Sequence, residues 1–303
     1  MPLLSSNFFD LYGTTMLPML HHVVFDSYKG VADVVPEVMR VEKSDKQVEQ
    51  TTSVGGFDRA VSFQENESVT YQDPVQGYDK SYAQVKYNKA WRVSREWVDY
   101  GKFVTIKDLA KNAGKSLAEV RQIVSVDLFN NAFTTSADNP NSDQLVSTTH
   151  TMERGGTTSN RLATDADLSY TTLDSMLQLF KNQRDQANLR IGFTPKKLFV
   201  PEEEWVNAIE LTKSTLRPGT ANNNINVFQG LLQVVDSVFL TDADAWFVLG
   251  DPSDGQMFFF DMRSPEMETD KDFDNEAVKN KLVEAFAVGW SDWRNYCGTS
   301  GGG

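Results

Sequence analysis

Cysteine and histidine are scarce in this chain. One cysteine, Cys297, and three histidines occur among 303 residues. A single thiol excludes an internal disulfide framework and is typical of a protein made in a reducing compartment. His21 and His22 are adjacent and cannot share one face of a helix, and His150 is distant in sequence, so we expect no metal site.

Long apolar runs are also missing. No stretch approaches the roughly 18 apolar residues that a membrane-spanning helix requires. Residues 1–20 lack a basic segment and are interrupted by Ser, Asn, Asp and Gly, which argues against a secretory signal peptide. A hydrophobic content of 40% with 23% charged residues is typical of a globular protein, and 303 residues suffice for one elaborated domain or two. We therefore expect no membrane partner.

Basic residues are outnumbered, and the two signs of charge are segregated. The formal net charge is −13. Residues 80–121 hold ten Lys or Arg against four Asp or Glu, whereas residues 242–284 hold twelve Asp or Glu against four Lys or Arg. Solvated faces are the usual explanation of such segments. The alternative is that a basic surface of one subunit meets an acidic surface of the next, while the overall acidity argues against sequence-specific binding of nucleic acid.

The first third of the chain predicts an arm and a hairpin. Residues 1–48 contain apolar clusters that are each too short to form a core, as in an arm that packs onto another surface. Residues 69–72 and 82–87 alternate with period two around a turn at 73–78, which predicts a long hairpin. A two-stranded hairpin is marginal alone in water and needs a partner surface.

Helical patterns follow the hairpin. A short helix is predicted from Thr105 and is weakened at Gly114. Ser116 and Glu119 match a capping box, which predicts the start of a long amphipathic helix that runs to Phe133. A polar loop over 136–162 and a second helix over 167–184, with Leu173, Met176, Leu177 and Phe180 as its buried stripe, come next.

Residues 193–252 predict a compact α/β unit without a catalytic grouping. A strand at 197–200 ends at Pro201, which suits the first turn of the following helix. The Pro-, Gly- and Asn-rich segment from Arg217 must be an exposed loop, and strands are predicted at 227–240 and 246–249. The chain then continues with a strand at 257–260, an acidic link over 268–276 and a closing strand over 281–293, in which Gly289 marks a bulge or a close approach.

No pattern predicts catalysis. Ser147 and His150 lie close in sequence, but a nucleophile pair would also need an orienting acid and an oxyanion hole. No G-x-S-x-G elbow occurs in the sequence, so a turn held by hydroxyl and imidazole hydrogen bonds is the better interpretation. The acidic residues of the C-terminal third could include a carboxylate pair, although a solvated acidic surface is the simpler explanation. We expect no enzyme, no catalytic residue, no cofactor and no metal.

Three groups of stretches, taken in order, resemble the major capsid proteins of tailed bacteriophages with the Hong Kong ninety-seven-like fold, in particular the Mu-like branch. They are residues 126–133 with 147–150 and 155–160, residues 198–215 with 224–230, and residues 240–250 with 287–294. The resemblance implies an α+β fold. Its parts would be an N-terminal arm over 1–48, an extended E-loop hairpin over 49–90, a peripheral domain over 91–160 with a spine helix at about 105–133, an axial domain over 161–255, and return strands with a tail over 256–303.

The resemblance also implies a function. The chain would be a structural subunit that assembles as hexamers and pentamers into an icosahedral head around double-stranded DNA. It would be made in the host bacterial cytoplasm and reside in the virion. Portal, scaffold and decoration proteins would be its partners besides further copies of itself, and packaged DNA would be contacted without reading its sequence. The absence of a long charged segment before the arm suggests a separate scaffold or a processed chain.

Two kinds of assembly surface follow from this resemblance. The loop at the symmetry axis of the capsomer would comprise Arg217, Pro218, Gly219, Asn222, Asn223 and Asn224. An inter-subunit basic face would comprise Lys80, Lys86, Lys89, Arg92 and Arg95. It would meet an acidic face of Glu266, Glu268, Asp270, Asp272 and Asp274 on the next subunit.

Two alternatives remain open from the sequence. An encapsulin-like protein nanocompartment has the same fold class and would enclose protein in place of DNA. A carboxylate-dependent glycoside hydrolase would need two carboxylates at fixed spacing in a cleft lined by tryptophan. Trp246, Trp290 and Trp293 lie within strand patterns, which favours core positions for them.

Overall fold

Two four-stranded sheets and one long helix form the framework of the computed structural model, which describes residues 12–54, 59–62, 64–69, 71, 76–136, 138–152, 155–185, 188–218, 224–272 and 274–302. Within these ranges the helices are α1 (Leu17–Lys29), α2 (Val35–Val38), α3 (Arg95–Asp99), α4 (Phe103–Asn130), α5 (Tyr170–Lys181) and α6 (Trp205–Lys213). The strands are β1 (Arg40–Lys43), β2 (Val48–Val54), β3 (Gln76–Ala83), β4 (Val85–Ser94), β5 (His150–Thr151), β6 (Thr157–Thr158), β7 (Lys197–Pro201), β8 (Gln233–Ser237), β9 (Trp246–Leu249), β10 (Gln256–Asp272), β11 (Ala277–Asp292) and β12 (Tyr296–Thr299). The predicted α+β class is confirmed.

The first sheet has the order β1-β10-β11-β4. Strands β10 and β11 form a long antiparallel hairpin in which Gln256 pairs with Asp292 and Asp272 pairs with Ala277. Strand β4 adds antiparallel to β11, with Ser94 opposite Ala277, and β1 runs parallel to the first part of β10. Strand β11 is therefore central, and β4 and the distal part of β10 are edges.

The second sheet has the order β12-β9-β7-β8 and is buried on both faces. Successive residues of a strand point to opposite faces. Leu198 and Val200 of β7 accordingly contact α5 and α6, whereas Phe199 joins a core that also contains Phe259 and Phe286 of the first sheet. Residues 290–299 are buried throughout and carry the chain from the first sheet to the second.

Helix α4 is continuous, which corrects the predicted weakening at Gly114 and the predicted capping box at Ser116 and Glu119. Gly114 lies where α1 crosses α4. A Cβ on Gly114 would stand 2.4 Å from the carbonyl oxygen of Val24. Glycine here permits two helices to approach closely, and its cost in helix propensity is offset by the packing that it allows.

The apolar clusters of the N-terminal region form a core, contrary to the prediction. Tyr12, Met16, Leu20 and Val24 recur at intervals of four and are all buried. They line one side of a π-helical turn (Tyr12–Met16) and of α1, which packs against α4. The short clusters recur with helical periodicity and so form one apolar stripe. This stripe is buried against α4. Residues 1–11 lie outside the described residues.

The predicted hairpin exists, but its strands differ. Strand β2 pairs antiparallel with β3, so that Val48 lies opposite Ala83. Residues 69 and 71 of the predicted first strand are not in a strand, and residues 70 and 72–75 lie outside the described residues. The predicted second strand divides at Gln84, after which β4 joins the first sheet. The alternating pattern continues across this division, so the sequence alone could not reveal it.

Tyr82 anchors this hairpin to the first sheet. Its ring packs against Phe258 and Phe260 and lies over Gly289, where a Cβ would stand 2.5 Å from the ring. The predicted close approach at Gly289 is therefore confirmed, and its partner is a side chain of the hairpin.

Other predicted strands and helices agree with the structure only in part. The run 227–240 forms only the short strand β8, and the predicted acidic link over 268–276 is mostly strand, because β10 continues to Asp272. Pro201 ends β7, and α6 begins only at Trp205 after a 3-10 turn. Strands β7 and β9 and the buried stripe of α5 are confirmed.

Candidate assembly surfaces

The loop that follows α6 is closed at its base by two short contacts between its arms. Leu216 and Ile225 form an isolated antiparallel bridge, and the N–H of Arg217 donates to the carbonyl oxygen of Asn224 at 2.8 Å. The guanidinium of Arg217 lies 4.0 Å from the ring centroid of Tyr170. Of the predicted axis residues, Arg217, Pro218 and Asn224 lie at this base. Gly219, Asn222 and Asn223 lie outside the described residues.

Asn226 fixes the base of the loop to α6. It is buried, and its Nδ2 donates to the carbonyl oxygens of Leu211 and Ser214 at 2.8 and 2.9 Å, while its Oδ1 accepts from the N–H of Phe228. Asn226 therefore holds the returning end of the loop against α6. This role was not predicted from the sequence, because a single Asn at the edge of a polar loop gives little signal.

Several exposed apolar side chains lie near this loop and at the start of α6. Leu216, Ile225 and Val227 flank the loop and are exposed, Ile225 at 77%. Trp205 and Val206 at the start of α6 are also exposed. Single exposed apolar residues are ordinary, but several in one unit indicate an interaction surface.

The predicted basic residues are distributed over three elements. Lys80 lies on β3, Arg95 begins α3, and the other three lie on the edge strand β4. Lys86 and Arg92 lie opposite Ala285 and Lys279 and share one face, whereas Lys89 lies opposite Leu282 and belongs to the other face. Arg95 pairs with Glu276 and Asp99 of its own chain.

The predicted acidic residues lie on the other side of β11. Glu266, Glu268, Asp270 and Asp272 lie on β10, and Asp274 lies in the turn that follows. Glu268 and Asp272 already form ion pairs with Lys281 and Lys279 of β11, at 2.6 and 2.8 Å. Hydrogen bonds from Lys279 and Asn275 lower the pKa of Asp272 to about 2.

Several members of both sets that form no ion pair lie on this sheet or in the turn beside it. Lys86, Arg92, Asp270 and Asp274 form no ion pair with any residue that the structure describes. The structure therefore brings the two predicted faces together as the two margins of one sheet, with the lysines of β11 between them.

A charged group lies buried beneath the first sheet. Glu284 of β11 is fully buried, and its Oε1 accepts from the hydroxyl of Tyr28 at 3.0 Å and from Arg121 at 3.3 Å. The guanidinium of Arg121 lies 4.3 Å from the ring centroid of Phe259 and approaches Asp33 at 3.5 Å. Burial raises the pKa of Glu284, and the hydrogen bond from Tyr28 and the charge of Arg121 offset part of that rise. These contacts join α1, α4 and the central strand.

His150 forms a second buried polar centre. Its Nδ1 lies 2.8 Å from Oδ2 of Asp143, and its Nε2 lies 2.9 Å from Oδ1 of Asn160. Asn160 is oriented by its Nδ2, which donates to the carbonyl oxygens of Leu145 and Tyr296. Both ring nitrogens therefore lie within hydrogen-bonding distance of a side-chain oxygen. Burial of the Asp143 carboxyl opposes its ionisation, but the hydrogen bond and charge of His150 outweigh that effect and lower the pKa of Asp143.

The described residues show no assembled catalytic group. Ser147 accepts from the N–H of Thr149 and is not hydrogen-bonded to His150, so the two do not form a nucleophile pair. Cys297 is buried, and burial raises the pKa of its thiol. No cluster of three metal-ligating side chains occurs in the part of the chain that the structure describes, and no helix there is long and apolar enough to cross a membrane.

The tryptophans that a glycoside hydrolase would need in a cleft are core residues. Trp246, Trp290 and Trp293 are at most 3% exposed. Trp293 stacks on His150. Trp246, the first residue of β9, packs in the core between the second sheet and helices α5 and α6. The hydrolase alternative loses its structural basis, because no carbohydrate could contact these rings.

Comparison with solved structures shows the same fold in shell-forming proteins. The virus-like particle from Pyrococcus furiosus matches with a TM-score of 0.58 at 9% identity, covering 94% of this chain and 99% of that one. The capsid of the cyanophage P-SCSP1u matches with a TM-score of 0.58 at 10% identity, covering 86% and 85% of the two chains. The capsid of bacteriophage JBD30 matches with a TM-score of 0.53 at 13% identity, covering 70% and 95%. No curated protein matches the chain.

A family model extends these likenesses from fold to sequence. The model described as "Phage capsid protein" matches residues 77–297, which include α4, the loop after α6 and nearly all of both sheets. The match covers most of the chain, and the resemblance drawn from the sequence is confirmed. The chain belongs to the phage capsid protein family and is a major capsid subunit with the Hong Kong ninety-seven-like fold.

Proposed function

We propose that copies of this chain assemble as hexamers and pentamers that close an icosahedral head around double-stranded DNA. The observation that carries this proposal is the family match over residues 77–297. Assembly takes place in the cytoplasm of the host bacterium, and the finished subunit resides in the virion. Portal, scaffold and decoration proteins are its further partners.

The loop after α6 contacts its copies around the local symmetry axis of the capsomer. Its closed base at Leu216 and Ile225 and its attachment through Asn226 support this proposal, because they fix both ends of the loop to α6 and to each other. The exposed side chains of Ile225 and Val227 provide apolar area for a contact between copies.

The two margins of the first sheet supply a second contact. Lys86 and Arg92 of one subunit face Asp270 and Asp274 of its neighbour, since these four have no ion-pair partner among the described residues of their own chain. An exposed ion pair contributes only about 0–1 kcal/mol, so these pairs set orientation and register more than stability. Many weak contacts still close a shell, because each subunit makes several at once.

Electron microscopy of the purified full chain tests the assembly. Closed particles of uniform size support the proposal, and a chain that stays monomeric at high concentration contradicts it.

Charge reversal tests the sheet contact. The R92E variant is expected to lower particle yield, whereas K89E, which changes an equally exposed position on the opposite face of β4, is expected to assemble normally. Particle yield in the double variant R92E/D270R should recover in part. Equal yields from R92E and K89E at low salt would remove the basis for this contact.

A protein nanocompartment shell is the second candidate function. The likeness to the virus-like particle from Pyrococcus furiosus favours it, although the family match favours a phage head. Particles isolated from the native source distinguish the two by their contents, since nucleic acid would indicate a head and a single enclosed protein a compartment.

A further inference from the structure

The outer side of α4 carries one row of residues spaced by four. The row consists of Lys107, Lys111, Lys115, Glu119, Ile123 and Asp127, all exposed. Residues four apart are neighbours on a helix surface. The first half of the row is therefore uniformly basic, and the charged residues of its second half are acidic.

This order of charges opposes the stability of the helix. The N-terminal end of a helix carries partial positive charge and favours acidic side chains, while its C-terminal end favours basic ones. Helix α4 has no acidic residue in its first turn and no basic residue in its last. Like charges four residues apart also repel each other. The charges of this row therefore do not stabilise the helix. Proteins keep such unfavourable local arrangements mainly at functional sites, so the row is a candidate functional site.

The three lysines form no ion pair with any residue that the structure describes. Acidic residues are nevertheless plentiful in the sequence, with 42 of them against 29 basic ones. Asp108 and Glu119 are the acidic residues beside them on the helix, and neither forms an ion pair with them. Three ammonium groups thus stand in solvent on an otherwise acidic protein.

The chemistry of the row favours phosphate over protein as its partner. Most exposed residues beside the lysines are polar, namely Thr105, Asp108, Asn112 and Glu119, and the exposed apolar residues Phe103 and Val104 lie beside Lys107 only, at the start of the helix. Protein interfaces have apolar and aromatic centres and are poor in lysine. An ammonium on a flexible stem is a point charge that suits phosphate oxygens.

The spacing suits a phosphate backbone. Four residues of helix rise about 6 Å, so the three lysines extend over about 12 Å. A DNA duplex carries one negative charge in about every 1.7 Å of its axis, which places several phosphates within this length. The whole chain carries a net charge of −13, and therefore −16 without these three lysines (−13 − 3), so most of its surface repels DNA and favours contact at basic clusters such as this row.

We propose that Lys107, Lys111 and Lys115 form the surface through which the subunit contacts the phosphate backbone of double-stranded DNA. This inference rests on the proposed function, since it takes packaged DNA as the content of the shell. The contact is independent of base sequence, because lysines on an exposed helix face meet phosphates and not base edges.

The experiment compares three variants of the full chain for binding of a fluorescent DNA duplex of mixed sequence across a salt series. K107Q/K111Q/K115Q removes the row, and K107R/K111R/K115R keeps its charge. K43Q/K181Q/K213Q is the matched control, because it removes three exposed lysines that also lack ion pairs with described residues.

The slope of log affinity against log salt falls in magnitude by about 0.9 for each phosphate that the protein no longer neutralises. The slope of K107Q/K111Q/K115Q should therefore be smaller in magnitude by about 2.7, and this variant should bind DNA more than tenfold more weakly. The arginine and control variants should keep the wild-type slope.

Particle formation by electron microscopy separates this inference from the proposed function. Particles that form normally from K107Q/K111Q/K115Q, with weakened DNA binding, support both. Unchanged affinity and slope in that variant overturn the inference but do not contradict the proposed assembly of a phage head. An equal weakening in the control variant would show that net charge alone matters and would also overturn it. If the variant binds DNA as the wild type does but forms no particles, the row is a protein contact.

Discussion

The imidazole of His150 stacks on the indole of Trp293, with ring centroids 4.1 Å apart and planes inclined by 3°. His150 belongs to the short strand β5 in the loop after α4, and Trp293 to the segment that connects the two sheets. Asn160 adds hydrogen bonds from the same loop to the carbonyl oxygen of Tyr296. The stacked rings and the hydrogen bond from Asn160 therefore hold this polar loop against the segment that connects the two sheets.

Replacing Asp143 with Asn should weaken this fastening in a pH-dependent way. The lowered pKa of Asp143 means that its ionised form stabilises the folded state above its ordinary range, and this contribution is lost as the pH falls through the lowered value. We expect D143N to cost about 1–2 kcal/mol at neutral pH, since a hydrogen bond to a charged group is lost, and almost nothing in acid. Melting temperatures of both proteins across the acidic range test this. A difference that stays constant with pH would show that the carboxylate charge does not matter.

Replacing Gly114 with Ala should destabilise the subunit, although Ala is the better helix former by about 1 kcal/mol. The new Cβ would stand 2.4 Å from the carbonyl oxygen of Val24, so α1 would have to move away from α4. Overpacking of this kind costs about 1–3 kcal/mol. Gly13 is the control, because nothing lies within 4 Å of its absent Cβ and G13A should be tolerated. Urea unfolding measures both, and a G114A variant more stable than wild type would refute the close crossing.

The stability of the wild-type protein should fall as the pH rises through the folded-state pKa of Glu284, and the E284Q variant should not show this fall. Burial raises the pKa of Glu284, so the folded state holds its proton more tightly than the unfolded chain does. The resulting stabilisation is complete below the unfolded pKa and is lost as the pH rises through the folded pKa. The urea midpoint of wild type, relative to that of E284Q, should therefore decrease through the mildly acidic range. Parallel curves for the two proteins would contradict the prediction.

Replacing Leu216 and Ile225 together with Ser should reduce assembly without affecting folding. Both side chains are exposed, and changes at such surface positions usually alter stability by less than about 0.5 kcal/mol. Particle yield should fall severalfold while the melting temperature of the unassembled chain stays the same. V238S, which changes another exposed apolar residue away from the loop, is the control and should assemble normally. If both variants assemble as well as wild type, the loop does not contact its copies through these residues.

Local patterns allowed several elements to be predicted from the sequence. The stripe of α5 and the apolar strands β7 and β9 depend on periodicity and burial within one segment, and both signals are visible in the residues themselves. The capsid resemblance likewise used ordered stretches and was confirmed by the family match.

Features that depend on distant partners could not be predicted. Gly114 resembles a helix weakness until Val24 is placed against it, and Glu284 resembles a polar residue among apolar neighbours until Tyr28 and Arg121 meet it. The strands of the hairpin were misplaced for the same reason, because alternation along one strand does not identify its partner. For the assembly surfaces, the sequence indicated which residues are charged but not which of them are already paired within the chain.

The central position of β11 has a consequence for how the subunit is made. This strand pairs with β4, from which it is separated by almost two hundred residues, and the buried segment 290–299 that follows it completes the second sheet. Pairings of such long sequence separation form slowly, since a large loop must close before the strands can pair. During synthesis, the edge of β4 that pairs with β11 therefore stays open until β11 has left the ribosome. A nascent chain can present the finished first sheet to a neighbouring copy only after that moment.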